Sequence, residues 1–235
     1  MVLLDLSAAF DLVDPQLLLQ KLKLYGAGDE VLGWLESYLT GREQAVWIDH
    51  SLSDFLPCSV GVPQGSNLGP LLFLIFYNDL PDYLTCDVEA YADDTTISVA
   101  GTTVEEIGIK LTNNCQVVSQ WMQGNRLKLN ADKTHLMTVG TSRRLQRQED
   151  SVTVYMDNCR PGESEDKCET LLGCQIEPGL KWHKQVSQLI LKLKKRLTAL
   201  EKLTNVIPQR VRKNITQGVL TSVLVYFLIS PINFG

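Results

Sequence analysis

The stretch VEAYADDTTISVA, residues 88–100, constrains this chain more than any other. Val88 and Ala90 alternate with polar neighbours before it turns, and Ile97 and Val99 alternate after it. The turn signal falls on two adjacent carboxylates, Asp93 and Asp94. A period of two on both sides of a turn predicts a hairpin with the aspartates at its tip. A tip of this kind fixes the backbone and points carboxylates out of the sheet end. Such oxygens suit hard cations, Mg²⁺ above all where phosphoryl groups are transferred. An Asp-Asp pair is also what an ordinary turn uses, so the meaning of this one depends on the rest of the chain.

Val2-Leu3-Leu4 is a short apolar run ending at Asp5, which predicts a buried strand with a carboxylate at its C-terminal end. Asp14 before Pro15 is a helix start; Leu18, Leu22 and Tyr25 continue the helix and Gly26 stops it. A second helix is predicted from Asp29 to Leu39, then strand-like runs at Ala45–Ile48 and Phe55–Val60. Gly61, Gly65 and Gly69, with Pro63 and Pro70, form a loop whose backbone can lie close to a ligand, or an ordinary tight turn. Leu71 to Tyr77 is apolar all round and predicts a buried helix. Val104, Ile107, Leu111, Cys115, Val118 and Met122 recur at three and four residues, the mark of an amphipathic helix lying on a sheet. A strand pair is expected at Leu127–Leu129 and His135–Val139, turning through Asn130 to Lys133. Arg143–Arg147 reads as a basic surface loop and Thr153–Met156 as a short strand. Leu171 to Trp182 reads as a hairpin turning at Pro178-Gly179. From His183 a helix carries Val186, Leu189, Leu193, Leu197, Leu200 and Leu203 on one side, and a last helix starts near Pro208. The polar stretches 141–150 and 160–167 mark a domain edge near residue 165.

Net charge is −5, which by itself argues against a polyanion partner. Its distribution reverses that reading. Residues 181–213 hold ten Lys or Arg and one acid, a local charge of +9, and residues 1–180 carry −14. A basic arm on an acidic body suits a polyanion, and a solvated helix face explains it equally well. The six cysteines show no C-x-x-C spacing and the three histidines are scattered, so we expect no zinc site, no disulfide framework and a reducing compartment inside the cell, nucleus or cytoplasm. The start lacks a basic n-region, so it is not read as a signal peptide. Val219–Phe234 is uncharged but short for a membrane span and holds Ser, Pro and Asn, so a buried helix is expected.

A strand ending in Asp5, a Gly-rich loop before an apolar helix, and the aspartate hairpin now stand together. Two cations about 3.5–4 Å apart need carboxylates from more than one element. LLDLSAAFD, GVPQGSNLGPLLF with YNDLP, YADD and LKLNADKTHLM, in this order and spacing, resemble the palm motifs of reverse transcriptases, nearest to those of non-LTR, LINE-like, jockey-type retrotransposons. LLGCQIEPGLKWHKQV resembles the hairpin that follows the palm in that family.

The resemblance implies an α+β fold: a polymerase palm, an antiparallel sheet with helices packed on one face, over residues 1–165, followed by a primer-holding hairpin and a partial helical thumb over 166–235. It implies RNA-directed DNA polymerase activity with two Mg²⁺ ions, or Mn²⁺, on an RNA template and a DNA primer with dNTP, and no membrane partner. Asp5, helped by the Leu6 carbonyl, and Asp93 would hold the metals, with Asp94 ligating or supporting. Phe10 would exclude a 2′-hydroxyl, or serve only as a core aromatic. Gln64 and Gly65 would meet template and incoming base. Lys133 would protonate the leaving pyrophosphate, or be an exposed turn lysine. Leu172, Gly173 and Trp182 would hold the primer end. Lys184, Lys192, Lys194, Lys195 and Arg196 on the basic helix would grip phosphates without reading sequence.

The family usually has Lys where Ala8 stands, and a fingers region precedes its palm where here four residues precede Asp5. We therefore expect a partial retroelement sequence with low or no polymerase activity by itself. A non-catalytic nucleic-acid-binding remnant is the alternative. An RNA-templated RNA polymerase also carries paired aspartates; Phe10 and the GVPQGS and YADD strings argue against it.

Overall fold

The structure, a computed structural model, describes residues 1–130, 132–147, 152–156, 161–162, 168–202 and 207–229. Strand β1, Val2–Leu4, buries Val2 and Leu4 and leaves Leu3 half-buried. The segment Ala8–Leu12 closes a short 3₁₀ turn, with Ala8 in the left-handed region at φ 48°. Helix α1, Pro15–Leu24, starts where the Asp-Pro pair predicts. Asp14 accepts from the backbone N–H groups of Gln16 (2.8 Å) and Leu17 (3.1 Å), and proline fills the first turn. Helix α2, Asp29–Leu39, buries Leu35 and Leu39.

The following region departs from the sequence reading. Two short antiparallel pairs form instead of two runs: β2, Arg42–Gln44, and β3, Trp47–Ile48, are followed by β4, Ser51–Leu52, and β5, Leu56–Cys58; β2 pairs with β5 and β3 with β4. Asp49 and His50 both take positive φ and reverse the chain there, which splits the expected strands. Helix α3, Gly69–Tyr77, buries Leu72, Phe73, Phe76 and Tyr77, but Leu71 and Leu74 are about half exposed, so an all-apolar sequence does not here mean an all-buried helix.

Strands β6, Asp87–Tyr91, and β7, Asp94–Ser98, form the aspartate hairpin. Tyr91 pairs with Asp94, so the two-residue loop is Ala92-Asp93 and Asp94 opens the returning strand. This moves the tip one residue from its expected place. Helix α4, Val104–Gly124, buries Leu111, Cys115, Val118 and Met122 on the predicted stripe. Strand β8 is only His135–Leu136, and it pairs with β1 rather than with 127–129. The segment 128–130 instead lies beside the continuation of β1, through a Leu6–Leu129 bridge and hydrogen bonds from Ser7 N to Lys128 O and Asn130 N to Asp5 O (both 2.8 Å). The four-stranded antiparallel sheet therefore runs β6-β7-β1-β8. Val2, Leu4, Ile97 and Leu136 share one core with Phe73, Phe76, Leu111 and Val118 of the helices.

Residues 152–156 alternate buried and less buried but form no strand, against expectation. The expected basic loop is helix α5, Ser142–Arg147. Strands β9, Glu169–Leu171, and β10, Cys174–Ile176, make a hairpin whose turn is Leu172-Gly173, not Pro178-Gly179. Both turn residues have positive φ, 48° and 78°, the signature of a type I′ hairpin. Helix α6, His183–Lys202, buries only Gln185. Helix α7, Gln209–Thr216, follows Pro208, passes through a π-helical turn at Gln217–Thr221, and leads to helix α8, Ser222–Ile229. In the apolar run from Val219, Val223 is buried while Leu224, Val225 and Tyr226 are exposed, so over the residues whose burial is described, 219–226, the helix is not a buried one. Leu203, Cys159, the end of that run and the domain edge near 165 lie outside the described residues.

The chain divides into two compact units: Met1–Leu136 with Asp150–Glu163, and Met137–Glu149 with Ser164–Gly235. Among the described residues all cysteines are free thiols and no helix is long and apolar enough to cross a membrane.

Candidate active site

Register brings the three carboxylates to one end of the first unit's sheet. Leu4 pairs with Thr95, so Asp5 and Asp94, the next residue outward on each chain, leave neighbouring strands together. Asp93 sits at the hairpin tip beside them. Ala92 holds the tip at φ 55°, a conformation that a hairpin turn usually gives to glycine. The Asp94 carboxyl is pushed above the usual range by partial burial, then by the negative charges of Asp93 and Asp5.

Two further groups frame these acids. The 128–134 segment runs beside Asp5, so Lys133 Nζ stands 3.9 Å from Asp5 Oδ2, with its own side chain mostly in solvent. Thr134 Oγ1 accepts from Asp5 N (3.4 Å) and donates to Asn130 O (2.8 Å). Behind the hairpin, the buried Tyr77 hydroxyl accepts from Thr95 Oγ1 (3.0 Å). Burial, with a contribution from the Asp93 charge, pushes that phenol up to about 12, so it stays neutral beside the acids. Thr134 lies within LKLNADKTHLM and Tyr77 opens YNDLP, but the sequence reading gave neither a role; their neighbours in space mark them.

The Gly-rich loop forms a second cluster of the same unit. Phe10 stacks on Phe73 with ring centroids 4.5 Å apart and remains partly accessible. The ring is thus core packing and an accessible surface together. Gln64 and Gly65 are exposed at the loop, Gly65 at φ 76°. Gln64 Nε2 donates to Asp11 Oδ1 at 2.7 Å. Leu6 is buried.

The second unit holds the remaining candidates. The Leu172 carbonyl accepts from the Tyr226 hydroxyl, and Gly173 packs against the same ring. Trp182 is half-buried at φ 59°. Lys192, Lys194 and Lys195 are exposed on α6, and Lys184 is half-buried. The Arg196 Nη1 donates to the Val219 carbonyl within the π-helical turn.

Oxygen-only donors under mutual repulsion are the chemistry a hard divalent cation answers. In that sense Asp5, Asp93 and Asp94 fit such an ion, although among the described residues no three His, Cys, Asp or Glu side chains are gathered as a ligand set. What the arrangement offers is an acidic sheet end flanked by a lysine and backed by a neutral phenol.

A small antiparallel sheet ending in acidic groups is compatible with a polymerase domain, and the chain belongs to the reverse transcriptase (RNA-dependent DNA polymerase) family, which it matches over residues 1–193. Its relatives sit in mobile elements. It is 30% identical over 139 residues to the RNA-directed DNA polymerase from mobile element jockey of Drosophila melanogaster, covering 55% of this chain and 15% of that protein. It is 34% identical over 142 residues to the probable RNA-directed DNA polymerase from transposon BS of the same species, covering 57% and 16%. A putative 115 kDa protein in the type-1 retrotransposable element R1DM matches at 29% over 193 residues, covering 79% and 17%. The chain thus spans about one sixth of the length of these relatives. The non-LTR resemblance read from the ordered motifs is borne out.

Proposed function

We propose that this chain is the RNA-directed DNA polymerase core of a non-LTR retroelement, adding deoxynucleotides to a DNA primer on an RNA template. The observation that carries this reading is the convergence of Asp5, Asp93 and Asp94 at one sheet end, where partial burial and then the charges of the other two hold the Asp94 carboxyl above its usual range. In this reading residues 1–165 form the palm, and 166–235 the primer-holding hairpin and the start of the thumb.

The primer 3′-hydroxyl attacks the α-phosphate of the dNTP, a phosphodiester forms and pyrophosphate leaves. Asp5 and Asp93, with the Leu6 carbonyl and Asp94 ligating or supporting, would hold two Mg²⁺ ions, or Mn²⁺. The chemistry such ions would supply is neutralisation of charge on the phosphates and activation of the primer hydroxyl. The residues' own work is positioning. Phe10 lies against the sugar and leaves no room for a 2′-hydroxyl. Gln64 and Gly65 meet the template and incoming base. Lys133 delivers a proton to the departing pyrophosphate. Leu172, Gly173 and Trp182 seat the primer end, and Lys184, Lys192, Lys194, Lys195 and Arg196 lie along the phosphates.

Primer extension on an RNA template with dNTP and Mg²⁺ tests this. The polymerase reading predicts extension by the chain as it stands, at the low level the sequence leads us to expect, with Asp93→Asn slower by at least about a hundredfold, the scale of losing an electrostatic stabiliser. Equal extension by both sinks the assignment. The exposed lysines of α6 favour one second reading, a binding remnant without catalysis. It predicts no extension by either chain, with primer–template still bound at low salt.

A further inference from the structure

Gln64 has a partner that no motif assigns. Its Nε2 lies 2.7 Å from Asp11 Oδ1, and the two residues are 53 positions apart. A carboxylate only accepts hydrogen bonds, so the amide must present its NH₂ group to Asp11 and turn its carbonyl oxygen away. The contact does not rest on one flexible side chain. The whole loop is seated on the segment that carries Asp11. Gly61 N donates to Val13 O (2.7 Å) and Val62 N to Phe10 O (2.9 Å). At Gly61, φ is 85° and a Cβ would stand 2.9 Å from both the Asp11 Cα and its carbonyl oxygen, so only glycine permits the approach. Arg42 donates to the carbonyls of Val60 and Gly61 and holds the loop from its other side.

From this we propose that Asp11 is a positioning residue, which fixes the Gln64 amide in one orientation ready for the incoming nucleotide. The inference rests on the polymerase reading above. Phe10 and Asp11 are adjacent, so one short turn sets both the ring assigned to the sugar and the amide assigned to the base. Both ends of the Asp11–Gln64 bond are exposed, so water competes and the bond adds little to fold stability. Its effect lies in the freedom it removes. An unanchored glutamine samples several rotamers, and binding must then order it.

The test is steady-state primer extension by the full chain with Asp11→Ala, Asp11→Asn, Gln64→Ala and the double variant Asp11→Ala/Gln64→Ala. Asp11→Ala should raise KM for dNTP about two- to tenfold, the scale of one hydrogen bond, with a smaller change in kcat. Asp11→Asn should restore most of it, since its carbonyl oxygen accepts the same N–H. In the Gln64→Ala background Asp11→Ala should add nothing. Equal penalties from Ala and Asn, or additive penalties in the double variant, overturn the proposal. A second measurement needs no turnover: in the ¹⁵N-labelled chain the Gln64 side-chain NH₂ signals, identified by their loss in Gln64→Ala, should move to free-amide positions in Asp11→Ala. Signals that stay in place overturn the proposal. A chain that extends no primer defeats the polymerase reading alone, and the NH₂ signals still decide the contact.

Discussion

Helices α4 and α6 are nearly the same length, 21 and 20 residues, and both carry apolar side chains at three- and four-residue spacing. They end in opposite surroundings. In α4 the stripe is closed from Leu111 onward, with Val104 and Ile107 half-buried before it: Leu111, Cys115 and Val118 are inaccessible, and burial pushes the Cys115 thiol up to about 12. Its start is capped on both sides, since Thr103 accepts from Glu106 N and Glu106 accepts from Thr102. In α6 only Gln185 is buried, while Ile190, Leu191 and Leu197 are about half exposed among lysines. An apolar stripe states which face can be covered. Whether it is covered depends on what else packs there, and the two helices show both outcomes within one chain.

The largest test of that contrast is a matched truncation. Leu111→Ala should cost about 2–5 kcal/mol, the range for a large-to-small change in a closed core. Leu197→Ala should stay within about 0.5 kcal/mol, as for a surface position. Denaturant unfolding of the two variants measures both. Equal losses would show α6 packed as tightly as α4. The next test is on charge. Replacing Lys194 and Lys195 by Gln should weaken RNA or DNA binding and lower the slope of log affinity against log salt by about two, one for each phosphate contact removed. An unchanged slope would return those lysines to a solvated face. The smallest effect concerns the α4 start. The Glu106 carboxyl is held down to about 2, first by the hydrogen bond from Lys110 and then by Thr102. A group lowered on folding stabilises fully above its ordinary value of 4.5, and that contribution fades as pH falls towards 2. Glu106→Gln should therefore reduce the loss of stability between about pH 6 and about pH 3 by a small amount, because the pair is in solvent. Unfolding midpoints at the two pH values check it.

Much of the candidate site was legible in local pattern. The apolar run ending at Asp5, the Asp14-Pro15 start and the alternation around Asp93-Asp94 each set an element within a few residues. The misses share a cause. Pro178-Gly179 is the stronger turn signal, yet the hairpin turns at Leu172-Gly173, where both residues take positive φ. The 127–139 region had suitable strand residues, but each half paired with the β1 chain instead of the other half. Nor does the basic pattern of α6 foretell that Arg196 donates to the Val219 carbonyl, 23 residues away.

By itself, then, the sequence determined the chemistry: which carboxylates end strands, which loop is glycine-rich, which stretch is basic, and, through the order of these motifs, the family. Those properties are local, set by side-chain period and turn preference over a handful of residues. Tertiary structure alone decided who faces whom. Lys133 beside Asp5, Tyr77 behind the hairpin and Asp11 on Gln64 join residues far apart in the chain. Such pairings follow from sheet register and from which faces close into a core, and a single stretch of sequence carries no record of either.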